Sequence, residues 1–259
     1  MKPRNTPSRR LRLLRWLCFA VVLLPSLLWL AGHAAAPSPI HEPAEGQKLA
    51  GELRSMVPSE NASFSAALRL SVPGQDSRSL PIQTRVVLTP TNWMSIYEAQ
   101  PTNAPAESLV IRRATGQPPV YEWRRGEQLH TLAGGAATNS FAGSDFALLD
   151  LGMDFFNWPT QSVVLREMRK GRGCDVLESR PAQATLYSRV LSWIDQESRA
   201  QGQPGLLMAE GYDANGRLLK EFEIKGFKKV GGRWQVREME IRNRQSKTTT
   251  RLQFEFPEE

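Results

Sequence analysis

Thr248-Thr249-Thr250-Arg251-Leu252-Gln253-Phe254-Glu255-Phe256, close to the end of the chain, is the stretch on which the fold reading turns. Thr248, Thr250, Leu252, Phe254 and Phe256 fall on one side and Thr249, Arg251, Gln253 and Glu255 on the other. A period of two with one apolar side is the pattern of a half-buried β-strand. In the stretch before it, Trp234 and Val236 are even while Met239 and Ile241 are odd. That phase slip predicts a β-bulge near Arg237-Glu238 that bends the sheet inward. Further back, Phe64, Ala66, Leu68, Leu70 and Val72 alternate with small or polar residues. Strands are also predicted at 82–89, 93–99, 107–113, 119–124, 162–170, 174–179, 185–195, 206–212 and 217–229, separated by Pro, Gly and Asn. Asp213-Ala214-Asn215-Gly216 and Gly231-Gly232 are suited to hairpin turns. Such a run of strands gives an antiparallel meander that must curl or close to hide its edges.

Two segments carry a helical signal. Leu49, Leu53, Met56 and Val57 share one face of a short helix, made weak by Gly46 and Gly51 and ended by Pro58. The second interrupts the strands: Ser144 is placed to cap a helix from Asp145 to about Asn157, ended by Trp158-Pro159. Asp150, Asp154 and Asn157 form one narrow polar stripe, and Phe146, Leu148, Leu149, Leu151, Met153, Phe155 and Phe156 cover the rest. A helix apolar over most of its circumference needs cover, either in the mouth of a curved sheet or along its concave face.

The chain has 259 residues, with 33 Lys+Arg against 26 Asp+Glu. Lys2, Arg4, Arg9, Arg10, Arg12 and Arg15 precede the first acid, Glu42. Without residues 1–34, 27 basic residues face 26 acidic ones, so bulk charge does not point to nucleic acid. The basic stretch, the apolar run from Trp16 to Ala31 and the small residues Gly32 to Ala36 form a secretory signal, residues 1–34, with cleavage after Ala34. Ser8-Arg9-Arg10 also gives a loose twin-arginine pattern, and an uncleaved inner-membrane anchor is the alternative. Residues 35–43 read as a flexible Pro-rich leader and 44–259 as a single domain in the periplasm. Cys18 lies in the signal, which leaves Cys174 as a lone strand thiol with no disulfide partner. His41 and His130 belong to no catalytic motif, and no spacing suits a metal or a phosphate loop. The sequence therefore points to no catalytic residues, cofactor or metal. Residues 217–251 hold 11 Lys/Arg and 4 Glu, read as a solvated face or as a rim for an acidic partner or anionic head groups.

The run Asn139-Ser140-Phe141-Ala142-Gly143-Ser144-Asp145-Phe146, followed by Asp150-Leu151, resembles a motif of the bacterial outer-membrane lipoprotein-sorting family (LolA/LolB-like). Within it Phe141, Gly143, Ser144, Asp145, Phe146 and Asp150 carry the match. Residues 174–181, 187–195, 212–220, Gly232-Arg233-Trp234 with Met239, and 248–252 resemble the same family in the same order. The resemblance implies a mainly β fold: a half-open, curved antiparallel sheet or incomplete barrel of about 11 strands, with an N-terminal helix and a central helical lid. It also implies an apolar cavity for acyl chains and no catalysis. The expected occupant is a lipidated protein or lipid, held by a monomeric carrier that meets inner- or outer-membrane transport components. Phe64, Leu68, Leu70, Met94, Ile96, Phe222, Ile224, Trp234, Leu252 and Phe254 are expected to line the cavity, with Phe146, Phe155 and Phe156 covering it from the lid. The alternative is an envelope sensor of lipid or lipoprotein, like the MucB/RseB regulators, acting on a membrane partner.

Overall fold

The computed structural model describes residues 39–230 and 233–256, with Arg233 and Trp234 as backbone only. The expected signal and the start of the leader lie outside the described residues. The thirteen strands are β1 Ala62–Ser71, β2 Arg78–Leu88, β3 Asn92–Ala99, β4 Glu107–Ala114, β5 Val120–Arg125, β6 Gln128–Ala133, β7 Thr160–Arg169, β8 Arg172–Arg180, β9 Arg189–Asp195, β10 Gly205–Tyr212, β11 Leu218–Val230, β12 Arg233–Asn243 and β13 Thr248–Glu255. They form one antiparallel sheet in the order β6-β5-β4-β3-β2-β1-β13-β12-β11-β10-β9-β8-β7. Pairing of β1 with β13 joins the two halves of the meander, and β6 and β7 are left as edges. Two more strands are present than expected, and the curved open sheet is the expected architecture.

Period two becomes packing through register. Ile224, Met239, Leu252, Leu68 and Leu80 are successive cross-strand partners from β11 to β2, and all are buried. This apolar row is the spine of the inner face, because side chains directly opposite one another on neighbouring strands touch. Between β11 and β12 the register shifts around Gly226, leaving Lys225 and Arg237 without opposite partners, next to the predicted bulge. Trp193, Cys174, Val176 and Leu207 form a smaller second cluster. Burial raises the Cys174 thiol pKa and keeps the sulfur in its neutral form.

Helix α1, Pro43–Arg54, buries Leu49 and Ala50 and lies on β7. Its docking begins before the helix, within the stretch read as a leader: Ile40 N–H donates to Val164 O, and Glu42 exchanges two backbone hydrogen bonds with Val163. The helix stops at Arg54, so Met56 and Val57 fall beyond it and are 44% and 56% exposed.

Residues 134–159 connect the two sheet edges and cover the inner face. They do not form the single helix expected over Asp145–Asn157. Instead α2 spans Leu148–Gly152, Met153 turns left-handed, and Asp154–Asn157 continue as a 3-10 turn. Ser144 is not the helix cap; Ala147 is, with the Asp150 carboxylate accepting its N–H at 2.8 Å. The remaining helix, α3 Gln196–Ala200, was not foreseen; Asp195 caps it by accepting the Ser198 N–H at 3.0 Å.

Candidate functional site: the lid and the end cleft

The two carboxylates of the quoted motif tie the lid to the sheet, while Ser140 and Ser144 hydrogen-bond within the lid itself. Asp145 Oδ1 and Oδ2 accept the Thr248 and Thr250 hydroxyls of β13 at 2.5 and 2.9 Å. Asp150 is buried and accepts from the Tyr187 hydroxyl at 2.8 Å, and its Oδ2 lies 3.2 Å from Lys220 Nζ. The same ammonium donates to Asp145 O at 2.6 Å. Burial holds the Tyr187 hydroxyl pKa well above its ordinary value, so it remains a donor to Asp150. Ala142 N–H donates at 2.8 Å to Glu107 Oε1, which also accepts the Trp123 indole N–H. Gly143 has φ +67, a conformation that side-chain-bearing residues rarely adopt, and this accounts for glycine at that point of the motif. Phe141 and Phe146 fill the core beneath this loop.

Toward the far end of the lid, Asp154 accepts the Trp158 indole N–H at 3.0 Å. Its pKa is raised: burial outweighs the opposing help of that hydrogen bond and of Arg113. Arg113 donates to Gly152 O at 3.0 Å and stacks over Trp93.

With the lid seated, the described residues of the inner face pack closely against it. The cavity beneath it, between Asp150, Met153, Tyr187, Lys220 and Phe222, measures about 20 Å³, room for about one water molecule. Leu68, Leu70, Phe222, Ile224 and Leu252 do share the inner face, with Phe254 half-buried beside them, but they pack against the protein's own side chains. Phe146, Phe155 and Phe156 belong to the same core. Met94 and Ile96 are a different case. Register pairs Tyr97 with the inner residue Thr84 and Ala99 with Ile82, so Met94 and Ile96, opposite Val87 and Arg85, stand on the other face. Trp234 is paired with Lys229 along the backbone; its side chain is outside the described residues.

The large opening lies elsewhere, at the end of the sheet where β1 and β12 begin and β2 and β11 end. There a cleft of about 1590 Å³ separates these strand ends from α1 and α3. One wall is apolar: Met56, Val57, Pro58, Phe64, Val86 and Val230. The lining also holds charged residues that pair with one another. Arg199 contacts Glu45 at 2.7 Å, Glu52 at 2.6 Å and Asp175 at 2.9 Å, and Arg166 contacts Asp175 at 3.1 Å. The Arg199 hydrogen bonds hold the Glu52 carboxyl below its usual range. Of the expected binding residues whose side chains are described, Phe64 alone lines this cleft. Its charged lining joins residues more than a hundred positions apart, and no local pattern announces such a pairing. Met56 and Val57 were the available signal, read as one face of a helix.

Among the described residues, His41 and His130 are exposed and neither lines the cleft. Ser162 Oγ lies 3.1 Å from His41 Nδ1, but Ser162 is 2% exposed. His130 stacks beside Trp123. Among the described residues no group of three or more His, Cys, Asp or Glu is arranged to hold a metal ion.

This curved open sheet is similar in fold to solved lipoprotein-sorting and LolA superfamily proteins. A putative outer membrane lipoprotein-sorting protein domain from Vibrio parahaemolyticus is similar over 82% of this chain and 91% of its own, at 18% identity and TM-score 0.64. A DUF1329 family protein from Desulfovibrio piger is similar over 83% and 92%, at 19% identity and TM-score 0.66. A LolA superfamily protein from Nitrosomonas europaea is similar over 82% and 91%, at 17% identity and TM-score 0.58. A family model described as "uncharacterized protein" matches residues 126–258, just over half of the chain, and the chain belongs to that family. No curated protein matches the sequence.

Proposed function

We propose that this protein is an exported carrier that shelters the apolar chains of a lipid or lipidated protein, performing no covalent chemistry on them. The observation that carries the reading is the end cleft: open while the lid is seated, and walled by Phe64, Val86, Met56, Val57 and Val230. Each methylene that moves from water onto such a wall contributes about 0.8 kcal/mol, so part of one acyl chain is enough for retention without any charge pairing. The paired carboxylates and guanidinium groups of the lining give the polar end of such a guest hydrogen-bonding partners at the solvent side. The fold shared with lipoprotein-sorting proteins and the secretory signal read at residues 1–34 support the same reading.

The test is extraction of the purified protein for bound lipid, with Phe64→Glu alongside. Phe64 is only half-buried, so a carboxylate there reaches water and the fold persists. Lipid should leave with the wild-type protein and be absent from Phe64→Glu. A lipid-free wild-type protein that also takes up no acyl probe, or equal lipid in both, overturns the proposal.

A further inference from the structure

Beyond the sheet proper, β11 and β12 continue as a two-stranded ribbon paired only with itself. The β10 ladder on β11 ends at Met208–Glu223, and the β13 ladder on β12 begins at Glu238–Gln253. From Phe227–Val236 to Val230–Arg233 the two strands pair with each other alone. Lys170 Nζ donates to Ile224 O at 2.9 Å where the ribbon leaves the sheet.

The composition of this ribbon is one-sided. Residues 225–237 read Lys-Gly-Phe-Lys-Lys-Val-Gly-Gly-Arg-Trp-Gln-Val-Arg: five cations, no acid and two aromatic rings. Along β11 exposure alternates, with Lys225, Phe227 and Lys229 outward and Lys228 and Val230 half-buried. An apolar ring, 48% exposed at Phe227, thus stands between two cations at i−2 and i+2 on one face. Lys225 is paired with Glu223 at 3.0 Å; Lys229 and Arg237, also exposed, have no ion-pair partner among the described residues. Val230 and Gln235 of the same ribbon form part of the rim of the end cleft, with the exposed Met56 and Val57 on that rim as well.

A protein-binding strand pair buries its apolar side chains and pairs its charges with a fixed partner. Exposed cations without ion-pair partners near an exposed aromatic ring instead suit a surface of diffuse negative charge with an apolar layer just beneath. We infer that the β11–β12 ribbon is a docking element for an anionic lipid bilayer, Lys229 and Arg237 meeting the head groups while Phe227 enters the interface. The inference concerns the exposed side chains of the ribbon and does not depend on what the cleft holds.

Protein isolated from cells making the full chain can be sedimented with phosphatidylcholine vesicles prepared with and without phosphatidylglycerol. Wild type should bind the anionic vesicles more tightly than the neutral ones, and rising salt should erase the difference. Lys229→Glu combined with Arg237→Glu should lower partitioning onto anionic vesicles by at least about thirtyfold, the usual worth of two surface cations. Phe227→Ser should lower it about tenfold. All three side chains are exposed, so thermal unfolding should remain at the wild-type temperature. Phe64→Glu should bind vesicles like wild type, which separates this inference from the carrier reading. Equal binding to both vesicle types, or undiminished binding by the double variant, overturns it. So does finding that wild type ignores vesicles and instead binds an acidic protein in a manner the double variant abolishes.

Discussion

Asp195 ends β9, caps α3 through the Ser198 N–H, and receives Arg172 through two hydrogen bonds of 2.9 and 2.7 Å. The Arg172 bonds, more than the cap, bring its pKa down to about 2 in the folded chain. The unfolded carboxyl titrates near 4, so the folded state binds fewer protons between these values and stability rises with pH across that window. This contribution is complete above about pH 4 and disappears as the pH falls through about 2. Arg172 is half-exposed, so solvent screening reduces the gain to about 1–2 kcal/mol. Asp195→Asn should therefore lose about that much stability in urea denaturation at neutral pH, and the gap to wild type should close as the pH approaches 2. A gap unchanged by acid would show that Asp195 acts through its cap alone. The sequence shows the acid at a strand end but not Arg172 beside it, because cross-strand partners depend on a register that only the whole sheet defines.

Among the elements, α1 is attached where a side chain is missing. A Cβ at Gly46 would lie 2.4 Å from Ser162 Cα and 2.5 Å from its nitrogen, both backbone atoms of β7 that cannot swing away. Gly46→Ala should therefore cost stability even though alanine is the better helix former, because overpacking of about 1–3 kcal/mol outweighs the propensity gain of about 1. A lower unfolding temperature together with faster amide exchange at Leu49 and Ala50 would report α1 lifting from β7; an unchanged protein would mean that the contact yields easily. Strands were easier to read than this docking. β1, β2 and β13 alternate cleanly, and their boundaries fall within a few residues of those expected. β6 was missed because Gln128–Ala133 is exposed on both faces apart from Leu132, so nothing alternates. The face assignment of β3 failed for the opposite reason: Trp93 and Tyr97 compete with Met94 and Ile96, and only pairing with β2 decides between them. The lid was read as one helix because its apolar residues are abundant. Tertiary hydrogen bonds from Thr248, Thr250 and Lys220 to Asp145 hold the expected first turn in a non-helical shape.

For the whole molecule, the question is which of two apolar surfaces meets a guest. The inner face is the larger, but a guest there must displace the lid, and with it the buried contact between Asp150 and Lys220. Opening also takes the apolar residues of the lid into water, and the cost would reduce apparent affinity by the same factor as the scarcity of the open form. The end cleft requires no such opening, because it stands free with the lid seated. Tyr187→Phe distinguishes the two. It removes the 2.8 Å hydrogen bond to buried Asp150 and weakens the latch by about 1–3 kcal/mol without touching the cleft. With the guest in the cleft, titration of a fluorescent acyl probe should give an affinity within about twofold of wild type, since both lid states bind equally. Phe64→Glu in the same titration should abolish uptake. A Tyr187→Phe variant that binds the probe fivefold or more tightly, roughly the gain expected from about 1 kcal/mol of latch energy, would move the guest to the inner face and make the lid the gate.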